Sequence, residues 1–559
     1  DYTSYYSEAY AEKYAIYEPK WSNVNGKDMI IGLTKFNDDT KSTNEYVGKS
    51  TYDQTMTFSA QFDYNRTFKT FHNVSATLLG WGYQTQSSAD EGHESSDYHR
   101  TSNVNLGLRA SYNYDHKYYA DFSGALVHSA KLPEGNRNAF SPSVTLGWRL
   151  SKEKFMESVG FVDDLKITAS YAKLHQDLDI SDYYMYKGYF SDKGGWFQWY
   201  DGTVGGNTTG SKRGDNPNLD FITREEVRAG IDATLFNRLL RINANYFTQK
   251  TSGLLTQGAS TIYPSFFDLG TDLSFLPWIN YNEDKRTGFD FSLSANKEIG
   301  DFDVTLGFNG MVFSSKASIR DEVANESYLL RQGRALDATY GYVCEGFFQD
   351  QADIEKHAKQ TFGTVRPGDL KYKDISGPDG KPDGVIDNYD RRTFSGRFPG
   401  FEYGINASAT WKGFDLSLIG QGVADKKYYT TDWGVQPFMQ GASPNKDYIK
   451  HMWTEENPYG AKHPKLYWQD MGGGKNTRPN SYYLKDASFF RLKNVTLGYT
   501  LPRVWTEKAS ISKVRIYFSG DNLLTLTPYK GLDPERNGDG RDAIYPQNRI
   551  YSFGLNVEF

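Results

Sequence analysis

Hydrophobic and polar positions alternate with period two along much of the chain, which is the signature of strands whose two faces meet different surroundings. Between Thr101 and Tyr114, Val104, Leu106, Leu108, Ala110, Tyr112 and Tyr114 fall on one face. Asn105, Gly107, Arg109, Ser111 and Asn113 fall on the other. Val144, Leu146, Trp148 and Leu150 alternate in the same way with Ser143, Thr145, Gly147 and Arg149. The reading repeats at Leu165–Tyr171, Phe289–Asn296, Phe302–Phe308, Tyr403–Trp411 and Val495–Leu501. These runs are mostly about 9–12 residues, the length a tilted strand needs to cross a bilayer. Their polar faces carry Asn, Ser, Thr, Gly, Asp and Arg, which suits a wetted lumen.

Alternation alone also fits a soluble antiparallel protein with one face on a core. Two features favour the membrane. Aromatics gather at strand ends, as in Tyr112 with Tyr114, Tyr118 with Tyr119, and Tyr482 with Tyr483. Such belts belong at a lipid–water boundary. The final run places Tyr551, Phe553, Leu555, Val557 and Phe559 on one face. A strand ending on an aromatic resembles the assembly signal of bacterial outer-membrane barrels. The expectation is therefore an all-β fold, a transmembrane antiparallel β-barrel.

Roughly fifteen strand-like segments can be counted, at the strand lengths expected for such barrels. Some are joined by short turns, at Leu235–Leu239 and Ile299–Asp301. Others are separated by long polar excursions at 178–221, 251–283, 316–398, 424–488 and 523–547. Short turns on one side and long loops on the other is the outer-membrane pattern, and the long loops are where ligands are expected.

Composition sharpens this picture. The 559 residues include 42 Tyr, 35 Phe and 11 Trp, yet the mean hydropathy is −0.67. A chain this aromatic and this polar is unusual for a soluble core. No run approaches the roughly 18–20 apolar residues of a membrane-crossing helix. A single cysteine, Cys344, excludes an intrachain disulfide framework. A net charge of −6 leaves no basic footprint for nucleic acid. The start at Asp1 shows neither a basic nor an apolar leader, so a signal peptide is expected to be cleaved or to lie outside this sequence.

Candidate chemistry lies in the loops. Trp196, Trp199, Tyr200, Tyr428, Tyr429 and Trp433 are candidate substrate-binding plates, suited to stacking on sugar rings or peptide side chains, with loop packing as the competing role. Asp374, Asp379, Asp383, Asp387 and Asp390 are a candidate Ca²⁺ site, since oxygen ligands at alternating positions around glycine suit that ion. The run from Pro378 to Pro382 breaks the usual register, so a solvated turn cluster competes with the ion site. The nine histidines form no spacing typical of a catalytic triad or a metal site, so no enzyme is expected.

Several segments resemble the SusC-like (SusC/RagA) TonB-dependent outer-membrane transporters of Bacteroidetes. Phe489-Phe490-Arg491-Leu492-Lys493-Asn494-Val495-Thr496-Leu497-Gly498-Tyr499-Thr500-Leu501-Pro502 resembles that family's FLRLKNITLGYTLP. Arg515-Ile516-Tyr517-Phe518-Ser519-Gly520-Asp521-Asn522-Leu523-Leu524-Thr525-Leu526-Thr527 resembles VSGQNLLTFT, and Tyr529-Lys530-Gly531-Leu532-Asp533-Pro534-Glu535 resembles YKGFDPE. Further likenesses are Ser141–Arg149, the Asn216-Pro217-Asn218-Leu219 segment, Tyr340-Gly341-Tyr342 with Gly346-Phe347-Phe348-Gln349, and Pro367–Lys373 before the acidic run. The chain departs from the family at Ala172–Gln176 and Asp220–Thr223, both near strand ends.

The resemblance implies a plugged barrel of about 22 strands. Residues 1–559 would then be its C-terminal portion, with the plug domain and the TonB-contacting segment not present. It implies active import of oligosaccharides, or alternatively oligopeptides, and a dimer of transporter–lipoprotein pairs in outer-membrane lipid. The implied partners are a SusD-like surface lipoprotein acting as a lid and TonB supplying energy. A passive porin, needing neither lid nor plug, is the alternative of another class.

Overall fold

The computed structural model describes residues 2–559 except 11–16, 25–26, 36–46, 88–100, 192–195, 198–201, 203–204, 208, 259–260, 269–273, 325–328, 395–397, 431–436, 438–443, 445, 468–475, 532 and 536–546. Among the described residues, sixteen strands form one antiparallel sheet. They are β1 (Tyr2–Tyr10), β2 (Val47–Phe68), β3 (His72–Ser87), β4 (Thr101–Tyr114), β5 (Tyr118–His128), β6 (Asn138–Arg149), β7 (Val162–Gln176) and β8 (Ile222–Leu235). Then follow β9 (Leu240–Gln257), β10 (Trp278–Ile299), β11 (Phe302–Ile319), β12 (Phe401–Trp411), β13 (Phe414–Ala424), β14 (Phe489–Thr500), β15 (Lys513–Leu526) and β16 (Ile550–Glu558). Each pairs with its neighbours in this order, so the sheet is an uncrossed meander with β1 and β16 at its edges.

Hairpin chemistry fixes one rim. Trp411 pairs with Phe414 across Lys412-Gly413, whose φ values are 45° and 89°. Positive φ at both central residues gives the turn whose twist matches the strands. Ile299 pairs with Phe302 across Gly300-Asp301, with Gly300 at φ 62°. The turns after β2, β4 and β8 use left-handed residues too, at Lys69, Asp115 and Phe236. The other rim carries all the long loops.

The accessibility along the strands decides what surrounds them. On β6, Val144, Leu146 and Trp148 are exposed, whereas Ser143, Thr145, Gly147 and Arg149 are each partly covered. On β4, Val104 is 68% exposed and Leu108 44%. The apolar face is thus the more open one, which inverts the soluble arrangement and presents a lipid-facing wall. Polar residues pair across the inner face. Asn73 donates to Asn113 at 2.8 Å, Arg149 grips Asp164 with two bonds of 2.6 Å, and Asn494 donates to Asp521 at 2.7 Å.

Aromatics form a row near the short-turn rim. Phe302 stacks on Trp411 at 5.3 Å, Trp411 on Phe414 at 6.1 Å, and Phe414 meets Tyr499 at 4.5 Å. The row crosses four adjacent strands at one height, as an interfacial girdle does. No helix among the described residues is long and apolar enough to cross a membrane.

One expected excursion is shorter than its polarity suggested. The 251–283 segment continues as strand, because β9 runs to Gln257 and β10 begins at Trp278, leaving a loop at 258–277. A register shift at Ser252–Leu255, with Gly253 at φ 74°, breaks the alternation while the ladder carries on. Beyond the bilayer neither face needs to be uniformly apolar, so the period-two signal fades where the hydrogen bonding does not.

Candidate functional site

The buried apolar clusters lie in the loop layer. Leu132, Ile180, Met185, Leu219, Phe221 and Ile222 pack together where the 177–221 loop meets the β5–β6 connection. A second core holds Tyr342, Leu370, Tyr372, Ile386 and Tyr483. Its residues come from two loops far apart in sequence, 320–400 and 425–488. Burying each such side chain contributes roughly 1.5–3 kcal/mol. Backbone bonds sew the two loops together. Tyr342 N donates to Pro479 O at 2.8 Å, Ser481 N returns to Tyr342 O at 2.9 Å, and Leu370 N donates to the Asn476 side chain at 2.8 Å. The two loops form one folded unit on the long-loop side of the sheet.

A buried ionic knot anchors a third loop. Arg491, 3% exposed at the top of β14, donates to Asp533 at 2.9 Å and Glu535 at 2.6 Å, and Nε donates to Thr525 at 3.0 Å. Lys493 reaches both Glu535 oxygens, at 2.8 and 2.9 Å. Lys426 donates to the carbonyls of Pro534 and Glu535, each at 3.2 Å. The FFRLKN and LDPE segments are therefore two halves of one contact. The opposite charges of Arg491 and Lys493 in one and Asp533 and Glu535 in the other are the sequence signal that joins them.

The candidate plates divide. Tyr428 is 6% exposed, held edge-on against Tyr529 at 5.3 Å with Lys426 Nζ 4.7 Å above its ring. Burial pushes its phenol well above the ordinary range, and its oxygen has no hydrogen-bond partner among the described residues. Tyr429 accepts from Asn480 N at 3.1 Å and sits edge-on to Tyr483. Both rings serve loop packing here, because the co-folded loops close around them. Trp196 lies in a two-residue strand paired with Gly206–Asn207, and its side chain is not described. Trp199, Tyr200 and Trp433 lie outside the described residues.

The acidic run folds as a set of backbone acceptors. Asp390 is fully buried and accepts from Ile375 N at 2.6 Å, Ser376 N at 3.1 Å and Asp387 N at 2.9 Å. Asp387 accepts from Tyr389 N at 2.8 Å and completes a capping box with Asp390. Asp374 accepts from Gly384 N, Asp383 from Val385 N, and Asp379 stands exposed at a turn. Among the described residues no group of three or more His, Cys, Asp or Glu side chains is arranged to hold a metal.

Comparison with known proteins places this geometry. No family model matches the chain. It is 26% identical over 571 residues to TonB-dependent receptor P3 of Formosa agariphila, covering 92% of this chain and 53% of that one. It is 23% identical over 496 residues to TonB-dependent receptor SusC of Bacteroides thetaiotaomicron, covering 86% of this chain and 46% of that one. The chain is similar to TonB-dependent receptors, SusC among them. It spans about half the length of these curated relatives. Its fold matches the RagAB peptide importer in the open-open state, with a TM-score of 0.69, 19% identity and coverage of 91% of this chain and 55% of that one. A SusC-like wall of this kind belongs in the bacterial outer membrane, and these relatives are named receptors and importers rather than enzymes.

Proposed function

We propose that this SusC-like chain forms barrel wall and ligand-facing loops of a TonB-dependent importer, and that its cargo is oligosaccharide. The single observation that carries this reading is the co-folded loop unit. Loops 320–400 and 425–488 share one aromatic core, and Lys426 of the second bonds to the Pro534 and Glu535 carbonyls of a segment that Arg491 ties to β14. A passive pore gains nothing from a rigid, folded cover, whereas an importer needs a preformed surface for capture and for a partner. The partner would be a SusD-like lipoprotein closing over the loops, in a dimer of transporter–lipoprotein pairs. TonB would release a plug so that bound cargo passes down the polar inner face.

The test is uptake of labelled oligosaccharides by cells expressing the intact transporter, with and without TonB and the lipoprotein. Uptake that collapses without either partner supports the proposal. Uptake independent of TonB would make the protein a porin. TonB-dependent uptake of peptides with no saccharide transported would overturn the cargo.

A further inference from the structure

Three lysines stand directly opposite one another on the outer face of three adjacent strands. Lys250 of β9 pairs with Lys285 of β10, and Lys285 pairs with Lys316 of β11. Their side chains point away from the lumen, because they alternate in step with Tyr246, Phe289 and Val312, all exposed on the lipid-facing wall. All three lysines are exposed as well. Like charges directly opposite on a sheet are destabilising, so the row opposes the fold unless something neutralises it. The chain does so only in part. Glu283 takes Lys250 at 2.7 Å, and Glu225, on the other side of Lys250, lies 3.8 Å from Lys173. Neither Lys285 nor Lys316 forms an ion pair among the described residues.

The rows beneath the lysines change character in order. Two residues nearer the short-turn rim, Thr248, Thr287 and Ser314 stand opposite one another, with the two threonine hydroxyls 3.3 Å apart. Two residues further are Tyr246, Phe289 and Val312. The wall thus presents ammonium groups, then hydroxyls, then hydrocarbon. Phe302, in the aromatic row near the short-turn rim, marks one edge of the apolar band. At roughly 3.4 Å per residue and a tilt of about 40°, Val312 lies about 26 Å from it along the membrane normal and Lys316 about 36 Å. The apolar band of such a barrel is about 25 Å tall, so Val312 sits at its far edge and the lysines reach the headgroup layer on the long-loop side.

We propose that this row binds one phosphorylated lipid of the outer leaflet. Its phosphate lies between Lys285 and Lys316, its ester or amide carbonyls accept from Thr287 and Ser314, and its acyl chains run along Phe289 and Val312. A phosphate monoester carries close to two negative charges and three acceptor oxygens, which matches the two lysines. A water-soluble anion would leave the hydroxyl and apolar rows unused. The stacked order of charge, hydroxyl and hydrocarbon is that of a lipid, and the site is independent of what the transporter carries.

The test is native mass spectrometry of the intact transporter with its lipoprotein in detergent, titrated with lipid A, with dephosphorylated lipid A and with inorganic phosphate. Wild type is compared with the pair Lys285→Gln and Lys316→Gln and with the pair Lys285→Arg and Lys316→Arg. The expected result is that wild type holds lipid A at least tenfold more tightly than the dephosphorylated form, that the glutamine pair abolishes this preference, and that the arginine pair keeps it. Removing two facing charges relieves repulsion, so the glutamine pair should melt no lower than wild type in lipid-free detergent. Lipid A should raise the melting temperature of wild type and not that of the glutamine pair. A preference within twofold of wild type in the glutamine pair overturns the proposal, as does its loss in both pairs. Displacement of lipid A by an equimolar amount of inorganic phosphate would make the row a simple anion site and also overturn it. If lipid A fails to bind and the glutamine pair instead releases the lipoprotein, the row is a protein contact and the proposal falls.

Discussion

Removing the carboxylate of Asp533 isolates the contribution of the buried knot. Asp533 and Arg491 are each about 4% exposed or less, and the guanidinium bonds at 2.9 Å to a carboxylate that also accepts from Glu535 N at 2.8 Å. Breaking one partner of a buried pair costs about 3–5 kcal/mol, because the other charge stays desolvated. Arg491 keeps Glu535 and Gln547, so the lower end, about 3 kcal/mol, applies. At about 1.4 kcal/mol per factor of ten, Asp533→Ala should speed local opening of the 533–535 segment roughly a hundredfold. Amide hydrogen exchange at Glu535, followed by mass spectrometry, reads that change. The pair Arg491→Met with Asp533→Leu should cost less than the sum of the single changes, since an apolar pair leaves no stranded charge. An exchange rate in Asp533→Ala within threefold of wild type would refute the reasoning.

Burial raises the Cys344 thiol to about 11, so alkylation near pH 8 should run about a hundredfold slower than for an exposed cysteine; rapid labelling of the native protein by iodoacetamide would contradict this. Asp390→Ala strands three backbone donors and should cost about 3 kcal/mol locally, exposing the 365–395 segment to protease. Since those carboxylates already hold backbone N–H groups, chelating calcium should leave the wild-type loop protease-resistant, and cleavage on adding EGTA would mark an ion site. Burial holds the His463 imidazole below its ordinary 6.5, against the pull of Asp447. The stability it supports is complete above 6.5 and lost as pH falls from there towards the folded value, so the 425–488 loop should gain protease sensitivity on acidification and His463→Gln should flatten the profile. Leu108→Arg on the outer face of β4 should destabilise the folded barrel by about 2–4 kcal/mol in denaturant titration in vesicles, and a neutral effect would place that face away from lipid.

The barrel wall was legible because lipid and lumen enforce a strict division of side chains. Val104, Leu106 and Leu108 can be read as one face without any partner strand in view, and the turn at Lys412-Gly413 follows from its hairpin geometry. Legibility failed where that division ends. β9 and β10 extend past the bilayer through Leu254 and Leu255, where alternation no longer reports on pairing. The loop unit was harder still. Tyr428 and Tyr429 read as open plates because exposure of an aromatic is set by whatever folds against it, here Tyr529 from beyond β15 for Tyr428 and Tyr483, more than fifty residues on in the same loop, for Tyr429. The acidic run carried a spacing signal, but the spacing serves backbone capping as well as it serves a cation, and Asp390 shows the former geometry.

The central claim is that the apolar face of each strand meets lipid and the polar face meets water. The direct measurement is a spin-label scan of residues 104–110 on β4 in the protein reconstituted in bilayers, with collision rates for oxygen and for a water-soluble nickel chelate. The account predicts period-two alternation, with oxygen maxima at Val104, Leu106, Leu108 and Ala110 and chelate maxima at Asn105, Gly107 and Arg109. Chelate access at every position, or rates without alternation, would contradict it.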